Sequence, residues 1–307
     1  MDKKYNLECP SFEMFLKNNE KIERSEKSRD SALDFAHPVD AGIIRVLDSP
    51  MVNKAFAGLV DLTVDAQYGL IFSTGLRIDD QESEIGDIIR HCAKTLEINV
   101  PYTVISSSIT GLNAMTVGTD EFVYIAVSSL LKNIFENDEV CFVIGHECGH
   151  IALGHVLYHT VVSTMSSFSQ LIPLVGPAVY QLISWPLKAW SRRSEISADR
   201  AGLLCCGDIY TACRTLLRLE AGFEAVENFD VDTYIQSTSD SLRHSQIGYL
   251  QELFADHPIL AKRMEALRVF ANSEKYYRLT GKRPFAGTEL YTDEELNRRT
   301  EQIVSVI

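Results

Sequence analysis

The chain has 307 residues, 46% of them hydrophobic and 23% charged, and its 42 Asp plus Glu against 29 Lys plus Arg leave a net charge of −13. That size gives one large domain or two small ones with room for a buried core, which excludes a disordered polymer. The acidic balance offers no footprint for a phosphate backbone, so nucleic acid is excluded as a partner, and a mean hydropathy of −0.03 argues against a polytopic membrane protein.

Seven cysteines, an odd number with no CxxC spacing, do not read as a disulfide framework. The first residues carry lysines but no apolar run of a secretory signal. A reducing, cytoplasmic location is the expectation.

Residues 1–36 are rich in Lys, Glu, Asn and Ser and read as a mobile arm or a peripheral helix. From Pro38 the apolar residues recur at helical spacing through Ile43, Val46 and Leu47 and on to Leu62. A second amphipathic helix is expected over Glu82 to Leu96. After Pro101 the period changes to that of strands. Tyr102 to Ser107, Asn113 to Gly118 and Phe122 to Val127 predict a sheet of about three strands, punctuated by Thr110-Gly111 and Gly118-Thr119-Asp120. A helical hairpin should follow, Ser128 to Phe135 and then Asp138 onward, with Asn137 as the N-cap. Residues 194–272 read as further helices, broken near Gly207, Gly222 and Asp256-His257-Pro258, and Thr292-Asp293-Glu294-Glu295 opens a short terminal helix. The expected organisation is an arm (1–36), a domain (37–272) and a C-terminal tail (273–307), in a predominantly α-helical α+β fold.

The helix from Asp138 contains His146-Glu147-Cys148-Gly149-His150. Histidines four apart on a helix share a face, so both imidazoles can reach one ion. Glu147 sits about 100° round from His146, close enough to act on a metal's water without being a ligand. The flanking Val140, Phe142, Val143, Ile144, Ile151 and Leu153 mark a core helix, where two imidazoles and a carboxylate are costly without compensation. Zinc would supply it. Such an ion takes three protein ligands when catalytic. Glu195, 45 residues beyond His150, is the candidate for the third, and Asp199, four residues on, could accept the free ring N–H of a ligand histidine. The same pair also suits a solvated helix face paired with Arg192, Arg193 and Arg200.

Several ordered motifs resemble one family, the HtpX and CAAX prenyl endopeptidase group of zinc metallopeptidases. Asn113-Ala114 is similar to its NA(F/Y) element and His146 to His150, with Gly154-His155, to its HExGH helix. Ser191 to Asp199 is similar to SRxxExxAD, and His257-Pro258 with Arg263 and Leu267 to the closing HPxxxxRxxxL. The resemblance spans about Pro38 to Leu267. It implies a zincin-like domain binding one Zn2+ through His146, His150 and Glu195, with Glu147 as catalytic base and a polypeptide substrate. It also implies an edge strand with Asn113 and Ala114 holding the substrate backbone, and His257 donating to the developing oxyanion. The residues alone equally suit His257 as a helix cap. His155 is expected to be structural or to orient a ligand, and Cys148 to be a core thiol.

Residues 160–187 hold no charged residue or histidine for 28 positions. Nine are Ser, Thr or Gln, and Pro173, Pro177 and Pro186 divide the run, which argues against a membrane span. They read as a helical hairpin, within about 156–190, that folds over the domain, touches a membrane surface peripherally, or covers the cleft or an oligomer contact. With the last of these the chain would be a latent or non-proteolytic zinc-binding scaffold.

Overall fold

The computed structural model describes residues 26–47, 75–80, 82–109, 113–118, 123–159, 177–221, 233–238 and 259–305, together with positions 71, 111 and 230. In chain order the elements are α1 (Glu26–Phe35), α2 (Pro38–Leu47), β1 (Leu76–Arg77), α3 (Glu84–Thr95), β2 (Tyr102–Ser106), β3 (Ala114–Gly118) and β4 (Val123–Ser128). Then follow α4 (Leu131–Ile134), α5 (Asn137–Leu153), α6 (Pro177–Cys206), α7 (Ile209–Ala221), α8 (Leu260–Ala271), α9 (Glu274–Thr280) and α10 (Asp293–Val304).

The sheet has order β1-β2-β4-β3, with β2 parallel to β4 and the other pairs antiparallel. Its fourth strand, two residues of β1 against Val104 and Ile105, is too short to leave a periodic signal. β4 lies inside the sheet and is buried at every residue, whereas β3 is an edge.

Helix α5 is the centre of the molecule. It packs on α6, α3, α7, α1 and β3, and nearly every residue from Glu139 to Leu153 is buried, so no polar face remains. Its start lies one position earlier than Asn137 as N-cap would give. Glu136 caps it in a capping box, the Glu136 N–H donating to Glu139 Oε2 at 3.0 Å. Glu139 is itself held by Arg218 and Arg214, which fixes that register. At the other end Gly154, with φ 75°, closes the helix in the left-handed region and turns the chain toward His155.

The pairing of α5 with α6 is unusually close. A Cβ on Gly149 would lie 2.6 Å from the Ala201 Cβ, and one on Gly145 would lie 2.7 Å from the Cys205 Cβ. Glycines on α5 facing Ala198, Ala201 and Cys205 on α6 let the backbones approach, which brings the histidines of one helix to the carboxylates of the other.

The expected start of the helix that carries Glu195 is amended. Glu195 does not open a helix but lies within α6, which runs 30 residues and passes through Pro186 without a break. Pro177 is its first residue, where the missing N–H has no partner to lose, and Pro186 removes one backbone bond from a long ladder. Elements outside 37–272 pack on the core as well. In α1, Ala32 and Phe35 are buried, with Ala36 just beyond it, and α10 buries Leu296, Thr300 and Val304 while packing on α8. Residues 160–176 of the expected hairpin lie outside the described residues. Among the described residues no helix is long and apolar enough to cross a membrane.

His37 joins α1 to α2 and carries a pH dependence. Its backbone N–H donates to Ser197 Oγ at 2.9 Å, and its Nδ1 accepts from the Val39 N–H at 3.3 Å, so the ring serves as an acceptor. Burial, then the charges of Arg200 and Arg193, lower its pKa to about 3 from 6.5. A folded pKa below the unfolded one gives stability that is complete above pH 6.5 and is lost as pH falls toward 3. Between pH 6.5 and 5 this group should remove about 1.5 kcal/mol. Denaturant midpoints of the parent and of His37→Gln over that range measure it: the substituted chain should show the flatter profile, and identical profiles would exclude His37 as the cause.

Candidate metal and catalytic site

Three side chains converge where α5 meets α6. His146 Nε2 and His150 Nε2 stand 3.1 Å apart, Glu195 Oε2 lies 3.6 Å from His146 Nε2, and Glu195 Oε1 lies 3.4 Å from His150 Nε2. Zinc bonds of about 2.0–2.2 Å at tetrahedral angles place neighbouring donor atoms about 3.3–3.5 Å apart, so this triangle fits one small ion. His150, His155 and His159 form a second group compact enough for a metal.

The groups behind the triangle are ordered too. Asp199, fully buried, meets His146 Nδ1 at 3.0 Å and accepts from Arg263 twice, Nε at 2.8 Å and Nη2 at 2.6 Å. Burial would raise the Asp199 pKa, but the Arg263 charge and its hydrogen bonds, with those of His146, lower it. Asp199 is thus an anion that holds the His146 ring. For His146, burial opposes the charged form, and the Asp199 hydrogen bond with the carboxylates of Glu195, Asp199 and Glu147 outweighs it, so its pKa is raised. His150 shifts the other way, lowered by burial and by the neighbouring His146 and His155 despite Glu195. The two imidazoles therefore differ in environment although they sit one turn apart.

Glu147 lies beside the triangle, facing β3. Its Oε2 accepts from Thr116 Oγ1 at 2.6 Å. Thr116 was not singled out in the sequence. Its only signal was its place two residues after Ala114 on the same strand, which gives both the same face of the sheet.

A cleft of about 520 Å³ opens over these groups, lined along one side by Asn113, Ala114, Met115 and Thr116 and elsewhere by Leu216, Leu219 and Glu220. Ser128 N–H donates to the Asn113 carbonyl at 2.9 Å, so positions 113, 115 and 117 share the ladder with β4. The main-chain groups of Ala114 and Thr116 then point away from β4, to the open side.

Of the residues expected from the sequence, His146, Glu147, His150, Glu195, Asp199, Asn113 and Ala114 are gathered at this cleft or directly behind it. His257 lies outside the described residues. Cys148 is wholly buried on the far side of α5, where burial pushes its thiol pKa well up, as an inert core thiol requires.

An HExxH helix with a carboxylate-bearing second helix against it, beside a small mixed sheet, defines a metallopeptidase. The chain belongs to peptidase family M48, whose model matches residues 79–271. Among curated proteins it is 23% identical to the "Plastoglobule-localized metallopeptidase 48, chloroplastic" of Arabidopsis thaliana over 255 residues, covering 79% of this chain and 74% of that protein. It is 32% identical to the "Protease HtpX" of Cellvibrio japonicus over 172 residues, 47% of this chain and 56% of that protein. It is 25% identical to the "Protease HtpX homolog" of Thermococcus kodakarensis over 233 residues, 65% of this chain and 78% of that protein. No solved structure matches.

Proposed function

We propose that the chain is a zinc-dependent endopeptidase in which His146, His150 and Glu195 hold the metal and Glu147 is the general base. The observation that carries this is the donor triangle of 3.1, 3.4 and 3.6 Å with an acidic side chain beside it, in a cleft bordered by a sheet edge. When bound, zinc supplies a Lewis acid for the scissile carbonyl and lowers the pKa of its water toward neutrality. Two nitrogens and a carboxylate suit zinc, and three protein ligands leave a position open for chemistry.

The chain's own residues supply the rest. An extended polypeptide adds to the open side of β3, exchanging hydrogen bonds with the main chain of Ala114 and Thr116, which fixes the scissile bond over Glu147. Glu147 takes the proton of the attacking water on a carboxylate oxygen and passes it to the departing amine. The Thr116 hydroxyl, donating to Oε2, orients that carboxylate. Asp199, clamped by Arg263, keeps the His146 ring turned to the metal. The part assigned to His257, from the family resemblance, is a hydrogen bond to the developing oxyanion.

The test is cleavage of an unfolded protein such as casein by the purified chain, before and after chelation. Turnover should disappear with chelator and return with one equivalent of zinc. Turnover insensitive to chelator would contradict the proposal, and stoichiometric zinc without turnover would favour a latent or scaffold protein instead.

A further inference from the structure

The two proposed histidine ligands are supported differently. His146 Nδ1 meets a carboxylate directly, whereas His150 Nδ1 meets another imidazole, His155 Nδ1, at 3.0 Å. Two ring nitrogens at that distance share one proton, so one donates and the other accepts. The ring of His155 is wholly buried, and its other nitrogen, Nε2, stands 3.1 Å from Asp40 Oδ2, within ion-pair reach but outside hydrogen-bond geometry, so that it has no hydrogen-bond partner among the described residues. Asp40 is also fully buried. It accepts from Trp190 Nε1–H at 2.8 Å on Oδ1 and from the Ser197 hydroxyl on Oδ2.

We infer that Asp40 and His155 form a relay that positions the metal ligand His150. Resting on the zinc reading, the chain of tautomers has one solution. His150 presents Nε2 to the metal, so its proton sits on Nδ1 and is donated to His155 Nδ1. His155 then carries its proton on Nε2, facing Asp40. Each ring nitrogen in the series then faces the group its protonation demands, Nε2 of His155 at ion-pair distance from Asp40, and the carboxylate at the end fixes the direction.

The fold explains how a residue so far from the motif reaches the site. Gly154 ends α5 in the left-handed region, and His155 folds back with its N–H on the His150 carbonyl at 3.0 Å. Asp40 stands in the first turn of α2, which packs on α6, the helix that also carries Trp190, Glu195, Ser197 and Asp199. Asp40 lies upstream of residues 79–271, the segment matched by the family model. The helices before that segment thus belong to the metal site as well as to the packing.

The competing use of these histidines is a second ion held by His150, His155 and His159. That arrangement would strip His150 of both ring protons, and it gives Asp40 no part in ordering His150.

Asp40→Asn and His155→Gln test the relay. Asparagine keeps the size of Asp40 but presents an N–H to one of three donors, so the series cannot close. Zinc affinity by chelator competition should fall about 10–100-fold in each variant, and the visible absorption of the cobalt(II)-substituted protein should shift, with the circular dichroism of the parent retained. A purely structural role would lower the melting temperature without moving the cobalt spectrum. Zinc affinity within twofold of the parent and an unchanged cobalt spectrum would overturn the relay, as would two zinc ions per chain in the parent. If Asp40→Asn fails to fold, His155→Gln alone decides. A parent that binds no zinc would instead overturn the peptidase reading, which separates the two failures.

Discussion

Replacing Glu147 by Gln should lower kcat on a peptide substrate by roughly 10²–10⁴-fold while zinc content stays at one per chain. Glutamine preserves the volume of the side chain and the oxygen that accepts from Thr116 Oγ1, so packing between α5 and β3 is kept. What it lacks is a basic oxygen for the proton of the attacking water. The substitution also leaves the two imidazoles and Glu195 in place, so metal binding and catalysis separate in one experiment. Metal analysis of the purified protein beside steady-state rates reads both. A variant as fast as the parent would remove Glu147 from the mechanism. One that loses both metal and activity would place it in the metal-binding set.

Gly149→Val should damage stability and site together. The added Cβ would lie 2.6 Å from the Ala201 Cβ and 3.2 Å from the Ala198 Cα, and both neighbours are rigid parts of α6 rather than flexible side-chain ends. Valine adds two methyl groups to that conflict, so the helices must separate. Overpacking of this kind costs about 1–3 kcal/mol. Because Gly149 adjoins His150, and Ala198 and Ala201 flank Asp199 on α6, the same displacement opens the donor triangle, and zinc affinity should fall along with the melting temperature. Valine tolerated with unchanged stability and zinc affinity would show that the close approach of the two helices is not what sets the site.

Much of the site was legible because its chemistry is local. His146, Glu147 and His150 lie within one and a half turns, and helix geometry places them without knowledge of the rest of the fold. Glu195 and Asp199 are legible as a pair four apart, but the start of their helix is not, since it lies 18 residues before Glu195 at Pro177. Pro186 is a break signal in sequence, and its backbone cost is absorbed by a 30-residue ladder. The strands at Tyr102, Ala114 and Val123 were recoverable from β-branched alternation, while two-residue β1 carries no period.

Contacts between distant segments were not legible. Nothing local tells that Asp40 meets His155 across 115 positions, or that Thr116 donates to Glu147 from a strand that adjoins the helix only in three dimensions. The segment before residue 37 looked peripheral because Lys, Glu and Ser dominate it, yet Phe35 and Ala36 supply the core and offer their carbonyls to Arg200. Charge content describes the outer face of such a helix and hides the few apolar residues that dock it. The N-cap at Glu136 was misplaced for a related reason. Its stabilising partner, Glu139, is anchored by Arg218 from another helix, and local propensity favoured Asn137.

The most direct test of the account is the position of the metal itself, seen as zinc-edge anomalous difference density in crystals of the Glu147→Gln protein. A single peak bounded by His146 Nε2, His150 Nε2 and the Glu195 carboxylate is the predicted result. No peak there, or a peak enclosed by His150, His155 and His159 in its place, would contradict it.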